Sequence, residues 1–252
     1  MPIPRPRLGQ VERTSASRSR GCSRPLRARA RRVDGLSRIA VVTGGSGGIG
    51  AAVVSELRSG GWEVISLSRR EGCDVSDESQ VKAAFGRMKT LDALVHCAAL
   101  LIKKPLAAMT LVDWEAQLGA GLRGAFLCSR EAFRLMAERG GSIVMVSSLS
   151  GVAGAEKFPG MSAYVAAKSG LAGLTEALAV EGRSLGVRVN AVSPGAVDTA
   201  MLRVAGVEGP SLAPAEVARI IVWLASSESE PISGANIRID PPGVTSDGKR
   251  SC

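Results

Sequence analysis

An α/β fold is expected for this chain, built on one doubly wound parallel sheet with helices on both faces. Three observations lead there. From position 38 onward, six short apolar runs of strand length alternate with longer stretches of helical spacing. Near-continuous apolar strands separated by helices are the mark of a parallel sheet covered on both sides. A glycine-rich turn directly follows the first run and opens the first helical stretch, where such sheets bind ligands at the carboxyl ends of their strands. No fixed-period repeat and no internal linker divides residues 36–252, so a single domain is expected beyond the first segment.

The first strand is Ile39–Thr43, and Thr43-Gly44-Gly45-Ser46-Gly47-Gly48-Ile49-Gly50 carries the chain into a helix over Ile49–Ser59. Glycines there permit a tight turn and let the backbone approach a pyrophosphate held at the positive helix N-terminus. Thr43, Gly44, Ser46, Gly48, Ile49 and Gly50 are therefore candidate dinucleotide contacts, although a tight loop alone would also use such glycines. No Lys-Ser/Thr pair follows them, which disfavours a P-loop. The second strand, Glu63–Leu67, runs into Ser68-Arg69-Arg70. An NAD site places an acid at this point to bind the ribose 2′-hydroxyl, whereas guanidinium groups suit a 2′-phosphate. NADP(H) is thus favoured over NAD(H), with Arg70 as a solvated loop residue left open. Next come a helix over Ser79–Met88, a strand over Ala93–Cys97 and a long helix over Trp114–Glu138. The remaining elements are strand Ser142–Ser147, helix Ser162–Leu185, strand Val187–Val192, helix Pro214–Ser226 and strand Asn236–Ile239.

Tyr164 is the chain's one tyrosine, and Lys168 follows it by four residues, which on a helix puts both on one face. An unperturbed phenol titrates near pH ~10. An adjacent ammonium favours phenolate and would bring it towards useful acid–base work. Ser148 stands just past a strand's carboxyl end, where a hydroxyl can stabilise a developing alkoxide. A surface pair remains the alternative reading of Tyr164 and Lys168 alone.

In order, Thr43-Gly-x-x-x-Gly48-x-Gly50, Ser148, Tyr164-x-x-x-Lys168 and Pro194-Gly195 resemble the short-chain dehydrogenase/reductase family. The resemblance covers about residues 37–240, and within the family it is nearest the 3-oxoacyl-carrier-protein-reductase-like branch. It implies a Rossmann-type sheet and an oxidoreductase that moves hydride between NADP(H) and a ketone or secondary alcohol. Ser148 would polarise the carbonyl and Tyr164 would give or take the proton. Lys168 would hold the nicotinamide ribose and depress the Tyr164 pKa. Asp74-Val75 would lie beside the adenine, with a helix N-cap as the other reading of Asp74. Ala98 would keep the volume small beside the cofactor, and Pro194, Gly195, Val197 and Thr199 would line the nicotinamide, with a simple turn as the other reading of Pro194-Gly195. A homodimer or homotetramer, paired through the helices at Trp114–Glu138 and Ser162–Leu185, is also implied.

Four departures from the family pattern stand out. His96-Cys97-Ala98-Ala99 replaces the usual Asn-Asn-Ala-Gly, with His96 read as a packed loop residue. Gly121 stands where the family has a catalytic Asn that helps hold a water by Lys168, so reduced turnover is expected. About three extra residues lengthen the Gly154–Met161 loop, and the lid over Ala200–Ala213 is short. The alternative is a weakly active or inactive dinucleotide-binding protein acting as a sensor or structural subunit.

Composition narrows the remaining classes. The net charge of +9 resides in residues 1–38, which hold eleven arginines against Glu12 and Asp34. The rest balances 21 basic with 21 acidic groups, so no nucleic-acid partner is expected of the domain. Residues 1–36 read as a disordered Arg-rich leader, either a transit-like segment or an upstream extension. A cytoplasmic location follows, or organelle import if the leader is genuine. Five scattered cysteines without a Cys-x-x-Cys pair and one histidine, His96, argue for reduced thiols and against a zinc site. No apolar run reaches the roughly 18 residues of a membrane span.

Overall fold

Parallel pairing builds one sheet in the order β2-β1-β3-β4-β5-β6. The computed structural model describes residues 37–241; the leader 1–36, Cys22 and Cys252 lie outside the described residues. The strands are β1 (Ile39–Thr43), β2 (Glu63–Leu67), β3 (Ala93–His96), β4 (Gly141–Val146), β5 (Val187–Pro194) and β6 (Asn236–Ile239). Val41 pairs with Ile65 on one side and Leu94 on the other. Strand side chains alternate between faces, and both faces here are apolar. Val41, Leu94, Ile143 and Val189 pack with Phe85, Met136 and Leu171 on one side. Ala40, Val42, Val95, Val144 and Val192 pack with Leu57, Val217 and Ile221 on the other.

Helices α1 (Gly48–Ser59) and α7 (Pro214–Ala225) supply the second face. The first face is covered by α2 (Glu78–Gly86), α4 (Gly124–Met136) and α5 (Ser162–Gly182). Because the chain leaves β1 towards β2 and later returns to the opposite side at β3, the strand order reverses at β1. That reversal opens a crevice at the strands' carboxyl ends.

Two segments differ from the sequence expectation. The helix expected over Trp114–Glu138 is α3 (Leu111–Leu118), one π turn (Gly119–Arg123) and then α4. A capping box between Thr110 and Asp113 starts α3 three residues early. Gly119, Gly121 and Gly124 leave the next stretch without the side chains that hold a regular helix. At Gly124 an added Cβ would come within 2.9 Å of Val75, and glycine lets the π turn seat against that neighbour. The lid contains a helix the sequence pattern did not reveal, α6 (Ala200–Ala205). Thr199 caps its start by accepting from the Leu202 N–H, and Gly206 ends it at φ +59°.

Arg188 of β5 ties the far end of the domain together. Its buried guanidinium donates to the carbonyls of Leu224, Ser226, Ser229 and Ile232 and to the Ser229 hydroxyl, at 2.8–3.2 Å. A cation there satisfies the orphan carbonyls at the C-terminus of α7.

Candidate functional site

The glycine-rich turn takes the shape its composition requires. Gly44 and Gly48 have φ of +68° and +53°, the left-handed region that glycine enters without steric cost. No side chain caps α1, and no acid lies in its first turn, so its leading N–H groups and positive end are suited to an anion. A groove of about 380 Å³ lies above them, lined by Gly44, Ser46, Gly48, Ile49 and Gly50. Ser68, Arg69 and Arg70 line its far end, with Asp74, Val75 and Ala98 beside them. The amide and guanidinium donors, with one carboxylate as acceptor, fit a dinucleotide.

Thr43 sits beneath this groove rather than on its wall. Buried completely, its hydroxyl accepts the Ala98 N–H at 3.2 Å and lies 2.9 Å from His96 Nδ1. The other ring nitrogen, Nε2, is 2.9 Å from the Gly121 carbonyl oxygen. A carbonyl only accepts, so Nε2 carries the hydrogen. Burial, reinforced by the Lys168 charge, lowers the His96 pKa to about 4, which keeps the ring neutral. Nδ1 therefore accepts from Thr43. His96 thus joins the floor of the groove to the π turn.

Two further placements qualify the sequence reading. Asp77, not Asp74, caps α2, accepting from the Ser79 and Gln80 N–H groups. Asp74 instead accepts from the N–H and hydroxyl of Ser76 at 2.9 and 2.7 Å. Glu71 was missed: its carboxylate accepts from Ser66 and Ser68 at 2.8 and 2.6 Å. It lies next to the two arginines but is absent from the groove's wall. The serines on either side of Leu67 were the only signal that could have found it.

At the other end, β4 and α5 present the hydroxyls and the amine. Ser147 donates to the Lys168 carbonyl at 2.8 Å, and Lys168 Nζ donates to the Val146 carbonyl at 2.7 Å. Gly151 permits this approach, since a Cβ there would meet the Lys168 backbone at 2.6 Å. Ser148 is brought to the Tyr164 phenol, and their hydrogen bond partly offsets the upward shift that burial gives the phenol. The expectation that Lys168 would depress Tyr164 needs correction. Burial dominates and holds the phenol above its ordinary value, while the ammonium points to Val146 and is itself lowered by burial to about 8.

A second cavity, also about 380 Å³, adjoins the first. Ser148, Pro194, Gly195 and Val197 line this cavity and not the groove, whereas Lys168 lines the groove alone. Tyr164, Ser147, Ile49, Thr199 and Met201 line both. The phenol therefore stands in the partition between two spaces, with the serine on one side and the amine on the other. Ser147 stands with Ser148 at the strand's carboxyl end, as its sequence position suggests; Met201 was not singled out from the sequence, and its residue type carries no distinguishing signal.

Cys73, Cys97 and Cys128 are free. Burial raises the Cys97 and Cys128 thiols to about 12, too high for useful thiolate chemistry.

Comparisons with known proteins agree with this arrangement. Residues 68–245 match the family described as enoyl-(acyl carrier protein) reductase. The chain is 33% identical over 243 residues to the acetoacetyl-CoA reductase of Allochromatium vinosum, covering 81% of this chain and 98% of that enzyme. It is 35% identical over 241 residues to the cis-4-hydroxycyclohexanecarboxylate dehydrogenase of Sinomonas cyclohexanicum, covering 81% and 95%. Among solved structures, ElxO with NADP bound superimposes with a TM-score of 0.73 at 26% identity, covering 81% of this chain and 98% of that one.

Proposed function

The chain belongs to the short-chain dehydrogenase/reductase family, and we propose that it is an NADP(H)-dependent oxidoreductase interconverting a ketone and a secondary alcohol. The observation that carries this reading is the phenol in the partition, with Ser148 facing one cavity and Lys168 the other. The cofactor supplies or accepts the hydride. Ser148 donates a hydrogen bond to the substrate oxygen and steadies the alkoxide. Tyr164, kept protonated by its burial, delivers its proton to that oxygen, or takes it back in the reverse direction. Arg69 and Arg70 on the groove's end favour a 2′-phosphate, and the adjacent Glu71 is engaged by two serine hydroxyls. A 3-oxoacyl-type substrate is one member of this class, in keeping with the acetoacetyl-CoA reductase relative.

A second reading, a dinucleotide-binding protein of low activity, is favoured by one observation. Gly121 provides no side chain in the π turn, and its carbonyl is engaged by His96. NADPH and NADH oxidation over a panel of carbonyls, compared between the parent protein and Tyr164→Phe, separates the two. Turnover that the substitution abolishes, faster with NADPH, is expected; dinucleotide binding without Tyr164-dependent turnover would establish the second reading.

A further inference from the structure

Resting on the oxidoreductase reading of the site, we infer that the substrate brings into the Ser148-side cavity a ketone or secondary alcohol carried on an uncharged, predominantly apolar chain. The cavity on the Ser148 side is walled by a hydrophobic cluster distinct from the two cores of the sheet. Leu101, Met161, Tyr164 and Ala205 are its buried members, with Phe158, Val165, Met201 and Val207 packed against them. They come from separate segments that meet only here: the stretch after β3, the lengthened loop before α5, the lid, and α5 itself. None of these apolar side chains is needed to cover the sheet, whose faces are already filled.

The wall is held by specific bonds. Lys103 Nζ donates to the Ala205 carbonyl at 2.6 Å, so the ammonium caps the C-terminal end of the lid helix. The neighbouring Lys104 N–H donates to the Gly160 carbonyl at 3.0 Å, tying the loop to the same stretch. Gly160 and Gly206 both have positive φ, and a Cβ on either would lie within 3.5 Å of Lys103. Lys103 therefore braces all three segments, and its charge is directed to the lid helix.

Charge points the same way. The charged residues on the cavity wall are Glu156, Glu208, Asp240 and Arg238; Arg238 lies 3.7 Å from Asp240, which leaves two carboxylates unbalanced. Such a rim disfavours an anionic substrate such as a free 3-oxo acid. Of the hydroxyls on the wall, Ser147 and Thr199 donate to the Lys168 and Val197 carbonyls and Ser148 and Tyr164 serve the reacting oxygen, which leaves little beyond Ser150 to hold a polyol.

The test is a set of kcat/KM values with NADPH for 2-butanone, 2-hexanone and 2-octanone, beside acetoacetate and dihydroxyacetone. Each methylene added to the alkanone should raise kcat/KM about fourfold, the ratio expected for burying one CH₂ group. Acetoacetate and dihydroxyacetone should fall at least a hundredfold below 2-octanone. Phe158→Asn should raise the KM for 2-octanone about tenfold. A flat or falling alkanone series, with acetoacetate or dihydroxyacetone turned over better and still lost in Tyr164→Phe, would overturn the inference while leaving the oxidoreductase reading in place. If no carbonyl is turned over, calorimetric titration of octan-2-ol and acetoacetate into the NADP-saturated protein decides: tighter octan-2-ol upholds the apolar site, and tighter acetoacetate overturns it.

Discussion

His96 and Gly121 are two of the positions read from the sequence as departures from the family pattern, and the structure brings the His96 ring 2.9 Å from the Gly121 carbonyl across 25 residues of sequence. Neither the contact nor the tautomer was legible beforehand, because a buried histidine and a glycine carry no pairing signal in one sequence. Tyr164, Lys168 and Ser148 were legible, since their spacing and strand-end placement follow from local geometry. What the sequence could not supply was the balance of forces on the phenol, which depends on how much solvent the fold removes. The His96 pKa, lowered from 6.5 to about 4, has a consequence for stability. Between those values the unfolded chain binds a proton that the native state refuses, so stability falls as pH falls through this window. The loss should reach about 3 kcal/mol by pH ~4. Urea titrations from pH 7 to 4 should show it, and His96→Gln should flatten the dependence. An unaltered slope in the variant would assign the loss elsewhere. At Gly121 an added Cβ would sit 3.5 Å from the Ala167 methyl, ordinary contact, so Gly121→Asn should be accommodated. Single-turnover reduction should then quicken several-fold, and an unchanged or lower rate would count against the expectation that this glycine limits turnover.

The six strands fall within two residues of their expected ends, because apolar runs bounded by glycine and charge leave little choice of boundary. Helices were less legible where glycines accumulate. Helical periodicity passes smoothly through Gly119–Gly124, and only packing against Val75 and α5 reveals the π turn. The lid helix α6 escaped notice because six residues are too few to establish a period. Arg188 shows how one side chain can close several elements at once. A lysine in its place offers a single ammonium and cannot reach the carbonyls on both sides of the fork. Each of these carbonyls keeps a second donor, from Ser142, Ser229, Asn190 or the Ile232 N–H, so Arg188→Lys should destabilise the fold by about 3 kcal/mol through the charge-assisted bonds it loses. For a domain of this size that is a fall in Tm of roughly 6–12 °C, measurable by calorimetry, while a change below about 2 °C would show that lysine or water replaces the contacts.

The parallel sheet and the position of the crevice followed from strand–helix alternation; the strand order and the division of the crevice did not, since the latter depends on the loop before α5, the lid and the stretch after β3 meeting in space. No helix among the described residues is long and apolar enough to cross a membrane. Association through α4 and α5 is the remaining expectation. Phe126 on α4 and Val180 on α5 stay 47% and 64% exposed in the single chain, which an interface would cover. Light scattering at micromolar concentration should report a dimer or tetramer, and Phe126→Glu should shift it towards monomer; a parent protein already monomeric would refute the pairing. The shared wall of the two cavities has a pharmacological corollary. An inhibitor joining an adenosine phosphate to an aliphatic tail, by a tether short enough to pass Tyr164 and Met201, would turn the capture of its second half into an intramolecular event. Its avidity should exceed that of either half by about 10²–10⁴.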